Sequence, residues 1–322
     1  MDIYTNKEIT YISKKICEAY PIGTYLGHQY IAIGVVDYTY FLKTTQATYF
    51  IKIMKRSKSI EQVKKYQKNY ELFKEAHVRV PDLHYLDTGP IMALPFQGKT
   101  IFITVTDCIP GNNLYSLDEN MDISLLQQLL EELSKIITIP SVSLAPRTHK
   151  INASSVEALY QDTHTYLDPT INQKGKELLQ QLKNINFNAL SKAFIHGDLT
   201  KGNIIKDRGN KLWIVDIGDC GYGYPLEEVA TILTYLLFDY RDIKESIARA
   251  QYFLKEYDTI YPLIEYEKET LPTFIIYEAY CNVAKKTLLY HTGVTPTPQI
   301  DFWIQNSAML LRHFDTYWNG IR

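Results

Sequence analysis

Two short apolar runs, NIIK (203–206) and KLWIVD (211–216), flank the turn Asp207-Arg208-Gly209-Asn210, and a hairpin of that kind brings its outer ends together. Those ends are Asn203 and Asp216, thirteen residues apart, and Asp198 lies five residues before Asn203 in the run HGDLTKGN (His196–Asn203). The pattern constrains the fold because it gathers one carboxamide and two carboxylates around a single turn. One amide oxygen and one carboxylate suit a Mg2+ ion that keeps several waters and draws its other ligands from nucleotide phosphates. A separate carboxylate can orient a substrate hydroxyl and accept its proton. Taken alone, His-Gly-Asp reads as an ordinary turn. The order and spacing of Asn203 and Asp216 argue for the chemical reading.

The rest of the chain supplies a setting of two parts. In the first hundred residues, YTYFL (Tyr38–Leu42) and TYFIKI (Thr48–Ile53) flank a Thr-Thr-Gln turn and predict a hairpin. A helix follows, with Ser59 as its cap and Gln62 completing a capping box, because Ile60, Val63, Tyr66, Tyr70 and Phe73 recur at helical spacing. Pro81 ends it, and a strand is expected over Thr100–Val105. After Cys108 the pattern turns helical: Asp122 caps an amphipathic helix to Ile137, a Pro/Ser-rich connector runs over 139–150, and a helix near Gly175–Leu182 leads into the HGD run. Residues from Pro225 onward read as several helices, with Val229–Phe238 apolar enough for a buried one. The expected division is a nucleotide-binding lobe over 1–107 and a catalytic, substrate-binding lobe over 108–322.

HGDLTKGN followed by LWIVDIGDCGYGYPLEEVA resembles the aminoglycoside phosphotransferase/choline kinase-like superfamily. The family's HGDxxxxN loop matches His196, Gly197, Asp198 and Asn203. Its I-D-[FW]-x-[DE] segment resembles Val215 to Asp219, with Ile217 in the aromatic place, and its G-D-P-x-x-D-L-A resembles Gly223 to Ala230, with Tyr224 and Glu228 in the acidic places. The resemblance implies a protein kinase-like α+β fold, with a small β-rich N-lobe and a larger, mainly helical C-lobe. It implies Asp198 as catalytic base, Asn203 and Asp216 as metal ligands, His196 as a brace of the loop, and Lys52 on TYFIKIM as the nucleotide-phosphate lysine. Glu71 is favoured over Glu61 as the partner of Lys52, although pairing with Lys68 or Lys74 explains Glu71 equally well. FITVTDCIPGNNL resembles the strand and hinge that meet adenine, near Val105–Asp107. The phosphate-loop position, Ile31–Leu42, holds one glycine. Asp219 reads either as a carboxylate backing the metal ligands or as a loop cap.

The function implied is an ATP- and Mg2+-dependent phosphotransferase acting on a small-molecule hydroxyl, with GTP left open as donor. Aminoglycosides, choline or ethanolamine, amino alcohols and sugars all suit a later region that interleaves Asp239, Asp242, Asp258, Glu265, Glu267 and Glu278 with Tyr277, Tyr280 and Tyr290, by charge pairing and cation–π contact. The bland reading of that region is a solvated helical face over buried tyrosines. The alternative function is a kinase-like nucleotide-binding or regulatory protein without turnover, suggested by the glycine-poor loop. A protein kinase ranks last, for want of an H-R-D arginine and an A-P-E segment. A formal charge of −2 gives no field for nucleic acid or an anionic membrane. Cys17, Cys108, Cys220 and Cys281 lie far apart in no zinc or disulfide pattern, and the polar N-terminus lacks a secretory core, so a cytoplasmic setting is expected.

Overall fold

The computed structural model describes residues 4–31, 37–54, 60–140, 151–293 and 298–322. The proposed Ser59 cap, part of the phosphate-loop segment and most of the Pro/Ser-rich connector lie outside them. The first element is a helix absent from the sequence reading. Thr5 and Glu8 form a reciprocal capping box that starts α1 (Asn6–Ala19), whose Ile9, Ile12 and Ile16 recur at helical spacing and are buried. There follow β1 (Tyr25–Ile31), β2 (Tyr38–Thr44), β3 (Thr48–Ile53), α2 (Ile60–Glu75), β4 (Ile91–Phe96) and β5 (Lys99–Asp107). Next come β6 (Gly111–Asn113), α3 (Ile123–Ile137), α4 (Ala153–Thr163), α5 (Pro169–Asn184), β7 (Ala193–Ile195), β8 (Ile204–Asp207), β9 (Leu212–Ile214) and β10 (Gly221–Gly223). The chain ends in α6 (Pro225–Thr231), α7 (Ile243–Ile260), α8 (Glu265–His291), α9 (Pro298–Arg312) and α10 (Phe314–Ile321).

Contacts divide the chain into two units. The first comprises residues 1–75, 79–111 and 207–218; the second comprises 76–78, 112–206 and 219–322. The division therefore returns the Asp216 segment to the first unit, where a single cut near residue 107 would leave it in the second. The first unit holds an antiparallel sheet of order β1-β2-β3-β5-β4. The expected hairpin pairs Tyr38 with Ile53 and Lys43 with Thr48. Ile9, Ile12 and Ile16 of α1, with Tyr20 just after it, share one core with Tyr40, Leu42, Ile51, Ile53, Ile101, Ile103 and Val105 of the sheet. Burial of each such aliphatic side chain stabilises the unit by about 1.5–3 kcal/mol.

The second unit is built around α8, 27 residues long, which is buried on nearly all sides between Thr270 and Ala284. Asp122 caps α3 by accepting the Leu125 N–H at 2.8 Å, as expected. The apolar stretch Val229–Phe238 is buried, as helix α6 and then a π-helical stretch over Ile232–Leu237. Among the described residues no helix is long and apolar enough to cross a membrane. None of the four cysteines forms a disulfide.

Helices α5 and α8 meet closely at Gly175, where an added Cβ would fall 2.6 Å from Cε2 of the Tyr280 ring. Tyr280 is fully buried, so the ring has little room to yield. Gly175→Ala is expected to lower stability by about 1–3 kcal/mol despite its better helix propensity, read as a lower denaturation midpoint. An unchanged or raised midpoint would show that the two helices separate at little cost.

Candidate active site

In the second unit, β7 carries the chain through the core. Phe194 and Ile195 are buried, and β7 pairs antiparallel with β10, Ile195 opposite Gly221. The strand stops at His196, and the chain turns at Gly197 with φ of +78°, a conformation costly for side chains with a Cβ. Two successive backbone N–H groups, of His196 and Gly197, donate to the same Glu228 Oε2 at 2.5 and 2.9 Å. Glu228 is on α6 and buried, so a carboxylate in the core holds the turn from behind. The longer side chain in the family's aspartate place thus anchors the loop directly.

Beyond the turn, the Asp198 N–H donates to His196 Nδ1 at 3.3 Å, which requires Nδ1 without a proton and makes the fully buried imidazole a brace. The Asn203 carboxamide donates from Nδ2 to both the carbonyl and the Oδ2 of Asp198, each at 2.8 Å. The structure therefore brings Asp198 and Asn203 together. With the NH2 group committed on Asp198, the opposite face of the carboxamide presents its oxygen, the donor atom a hard cation takes. Lys201, in the same loop, is buried and donates to Asn120 Oδ1 at 2.6 Å, with Asp239 Oδ2 at 3.7 Å. Burial pulls its pKa below that of an ordinary lysine, with Asp239 opposing.

In the first unit, Lys52 on β3 lies 2.6 Å from Asp216 Oδ1 and 5.5 Å above the Tyr66 ring of α2. Burial works against the ammonium, yet Asp216, Tyr66 and Asp37 more than offset it, and the Lys52 pKa stands above its ordinary value. The Lys52 side chain is 9% exposed and that of Asp216 51%, so one end of the ion pair is embedded and the other is open. Asp216 has φ of +62°, a left-handed backbone that aspartate tolerates better than most residues. Asn69, buried on α2, donates to the carbonyl of Ile217 at 3.2 Å and fixes the chain just after it.

Three expectations are corrected or redistributed by this geometry. Glu71 does not pair with Lys52: it accepts from Gln67 Nε2 at 3.0 Å and faces Lys68 at 3.8 Å along its own helix. Asp216 takes the ammonium instead, and α2 contributes Tyr66 and Asn69. The sequence signal for Asn69 was a polar residue on the buried stripe with Val63, Tyr70 and Phe73. Val105 and Asp107 are also committed within the first unit. The Val105 carbonyl accepts the His84 N–H at 2.9 Å, and the Asp107 N–H donates to the Asp82 carbonyl at 2.8 Å. The Asp107 carboxylate meets His84 Nε2 at 2.7 Å. Those backbone atoms are turned toward residues 82–84 rather than toward a ligand. Among the described residues, no group of three or more His, Cys, Asp or Glu side chains gathers to hold a metal. A hard ion with few protein ligands and many from water and phosphate needs no such cluster.

The profile of the APH phosphotransferase enzyme family matches residues 28–263. A search of curated proteins returned no significant match. Among solved structures, the amicoumacin kinase hAmiN in complex with AMP-PNP, Ca2+ and Ami is 18% identical, with 96% of this chain and 94% of that one covered at a TM-score of 0.64. The microcompartment-associated aminopropanol kinase is 12% identical, with 97% and 99% covered at 0.69. The choline kinase LicA from Streptococcus pneumoniae is 16% identical, with 94% and 98% covered at 0.62. These likenesses show the protein kinase-like fold, with its small β-rich N-lobe and larger helical C-lobe. The profile spans well over half of the chain, and the protein belongs to the APH phosphotransferase enzyme family.

Proposed function

We propose that the protein transfers the γ-phosphoryl group of ATP, with Mg2+, to a hydroxyl of a small molecule. The observation that carries the reading is the double hydrogen bond from Asn203 to the backbone and carboxylate of Asp198, on a loop braced by His196 and Glu228. It holds one Asp198 carboxylate in a single orientation, which positioning of an acceptor hydroxyl needs. Asp198 Oδ accepts the acceptor's proton while the acceptor oxygen bonds to the γ-phosphorus. The bond from that phosphorus to the β–γ bridging oxygen breaks, and ADP leaves with the electron pair. Lys52, embedded and charged, holds nucleotide phosphates, and Asp216 and Asn203 are the proposed oxygen ligands of the metal. A bound Mg2+ would offset charge on the transferring phosphoryl group. The base of the nucleotide is proposed to meet the hinge near Val105–Asp107 through atoms other than the Val105 carbonyl and the Asp107 N–H. A cytoplasmic protein is the setting proposed.

With ATP, Mg2+ and a panel of aminoglycosides, amino alcohols, choline and sugars, ADP release is expected to depend on one class of acceptor and to vanish on chelation of the metal. Asp198→Asn keeps the Asn203 contacts but removes the proton acceptor, so its kcat falls by roughly 10²–10⁴ with folding intact. Full turnover in that variant would remove Asp198 from the chemistry. Glu71→Gln is expected to shift the KM for ATP by less than about twofold, because the pair it loses is a surface one. A tenfold rise would instead restore Glu71 as a partner of the phosphate-binding lysine.

A further inference from the structure

The acids expected to draw a cationic acceptor are largely engaged in holding the second unit together. Asp239 is buried beneath Arg241, whose Nε and Nη2 donate to its two oxygens at 2.9 and 2.6 Å. Burial opposes its charge, yet Arg241 and Lys201 hold its carboxyl at about 2. Asp242 caps α7 by accepting the Glu245 N–H at 3.1 Å. Asp258 faces Lys268 at 3.7 Å. Glu267 is buried and accepts the N–H groups of Ser191 and Ile264 at 2.7 and 3.1 Å. Tyr277 and Tyr280 are buried in the core, and Tyr290 donates to Asp301 at 2.6 Å. Glu265 is exposed in the first turn of α8, twenty-one residues and so roughly 30 Å along the helix from Lys286.

Near Asp198, α8 carries an acid, Glu278, and a lysine, Lys286; both Asp198 and Glu278 act on the buried Tyr235. Glu278, Asn282 and Lys286 follow one another at i, i+4 and i+8 along one side of α8. Asn282 ties that side to α9 through the Trp303 carbonyl at 3.0 Å and Ser307 Oγ at 2.7 Å. One turn on, the Lys286 ammonium rests 4.3 Å above the Trp303 ring, which is itself backed by Tyr115 at 5.8 Å. Lys286 is half-buried and, among the described residues, makes no ion pair or hydrogen bond; its ammonium lies on the Trp303 ring. Burial lowers its pKa to about 8, and the opposing influence is the charge of Asp198. A partly desolvated ammonium on an aromatic floor, within the field of the proposed base, is a site for an anion.

We infer that the phosphate acceptor carries an anionic group, a carboxylate in the simplest case, close to its reacting hydroxyl, and that Lys286 on Trp303 binds that group. The inference rests on the phosphotransferase reading and narrows its substrate class to hydroxy acids, including zwitterionic ones. Without Lys286, an anion so placed would meet only the repulsion of Asp198 and Glu278. The lysine is thus a specificity determinant acting on the acceptor and not on the transferred phosphoryl group.

Acceptors paired to differ by one carboxylate test this: glycerol against D-glycerate, ethanolamine against L-serine, and 3-amino-1-propanol against L-homoserine, each with ATP and Mg2+ and the full chain. The carboxylate member is expected to be favoured at least tenfold in kcat/KM in one or more pairs. Lys286→Gln should erase the preference by a roughly ten- to hundredfold rise in the KM of the acceptor, with the ATP KM moving less than twofold. Lys286→Arg should retain part of it. Binding supplies the second readout: in the presence of AMP-PNP and Mg2+, the carboxylate probe should raise the melting temperature and its neutral partner should not, a difference lost in Lys286→Gln. Preference for the uncharged members, an equal response to both, or no response to any carboxylate by a protein that binds AMP-PNP overturns the inference. So does a rise confined to the ATP KM, which would make Lys286 a ligand of the nucleotide phosphates. Failure to bind AMP-PNP at all would instead overturn the phosphotransferase reading.

Discussion

A buried carboxylate with two backbone donors aimed at it dictates much of the second unit. A buried carboxyl group such as Glu228 needs donors, and the amides of His196 and Gly197 cannot be left unmet where β7 ends. Each therefore requires the other, and satisfying both sets where the strand stops and which way the chain turns. The left-handed Gly197, the unprotonated His196 Nδ1 and the twofold grip of Asn203 on Asp198 all follow from that turn. The proposed catalytic carboxylate is placed by a core contact several residues away from it.

The first unit uses charge differently. Lys52 is embedded in the sheet and survives as an ammonium because Asp216 neutralises it, while Asp216 keeps half of its own surface open. An ion pair buried at one end is weak evidence for stability, since taking the ammonium out of water offsets much of what the attraction returns. Its value lies in keeping a lysine charged and stretched at one place on a rigid strand. The left-handed Asp216, with Asn69 clasping the next carbonyl, adds a second device that makes sense as positioning rather than as packing.

Legibility in the sequence followed the range of the interaction. The β2–β3 hairpin, α2, the Asp122 cap and the loop from His196 to Asn203 depend on neighbours a few residues away, and their patterns could be read directly. The α1 signal was equally local, a Thr5–Glu8 capping box with isoleucines at helical spacing, but it sits in a polar stretch that draws attention to what it lacks. Glu71 was misassigned because a helix places several residues within reach of a strand lysine and only side-chain direction separates them. At Val105 and Asp107 the partner of two backbone groups, residues 82–84, is not marked by any periodicity. The acids of the helical region looked like a binding surface because composition shows a charge without showing its partner. Asp239 and Glu267 have theirs at Arg241 and Ser191.

The family profile ends at residue 263, and the folded unit does not. Helix α1 lies before the matched stretch and closes one flank of the β-sheet core, while α8, α9 and α10 lie after it and supply Lys286, Trp303 and the buried clamp of Asn306 on the Phe238 carbonyl and Tyr240 amide. The stretch by which the protein is recognised as kin is thus smaller than the stretch that must fold. The matched portion holds the proposed catalytic loop, and the proposed acceptor-binding residues lie on the flank after it. Excising the chain at the borders of its kinship would leave the proposed catalytic loop without part of its scaffold and without Lys286 and Trp303.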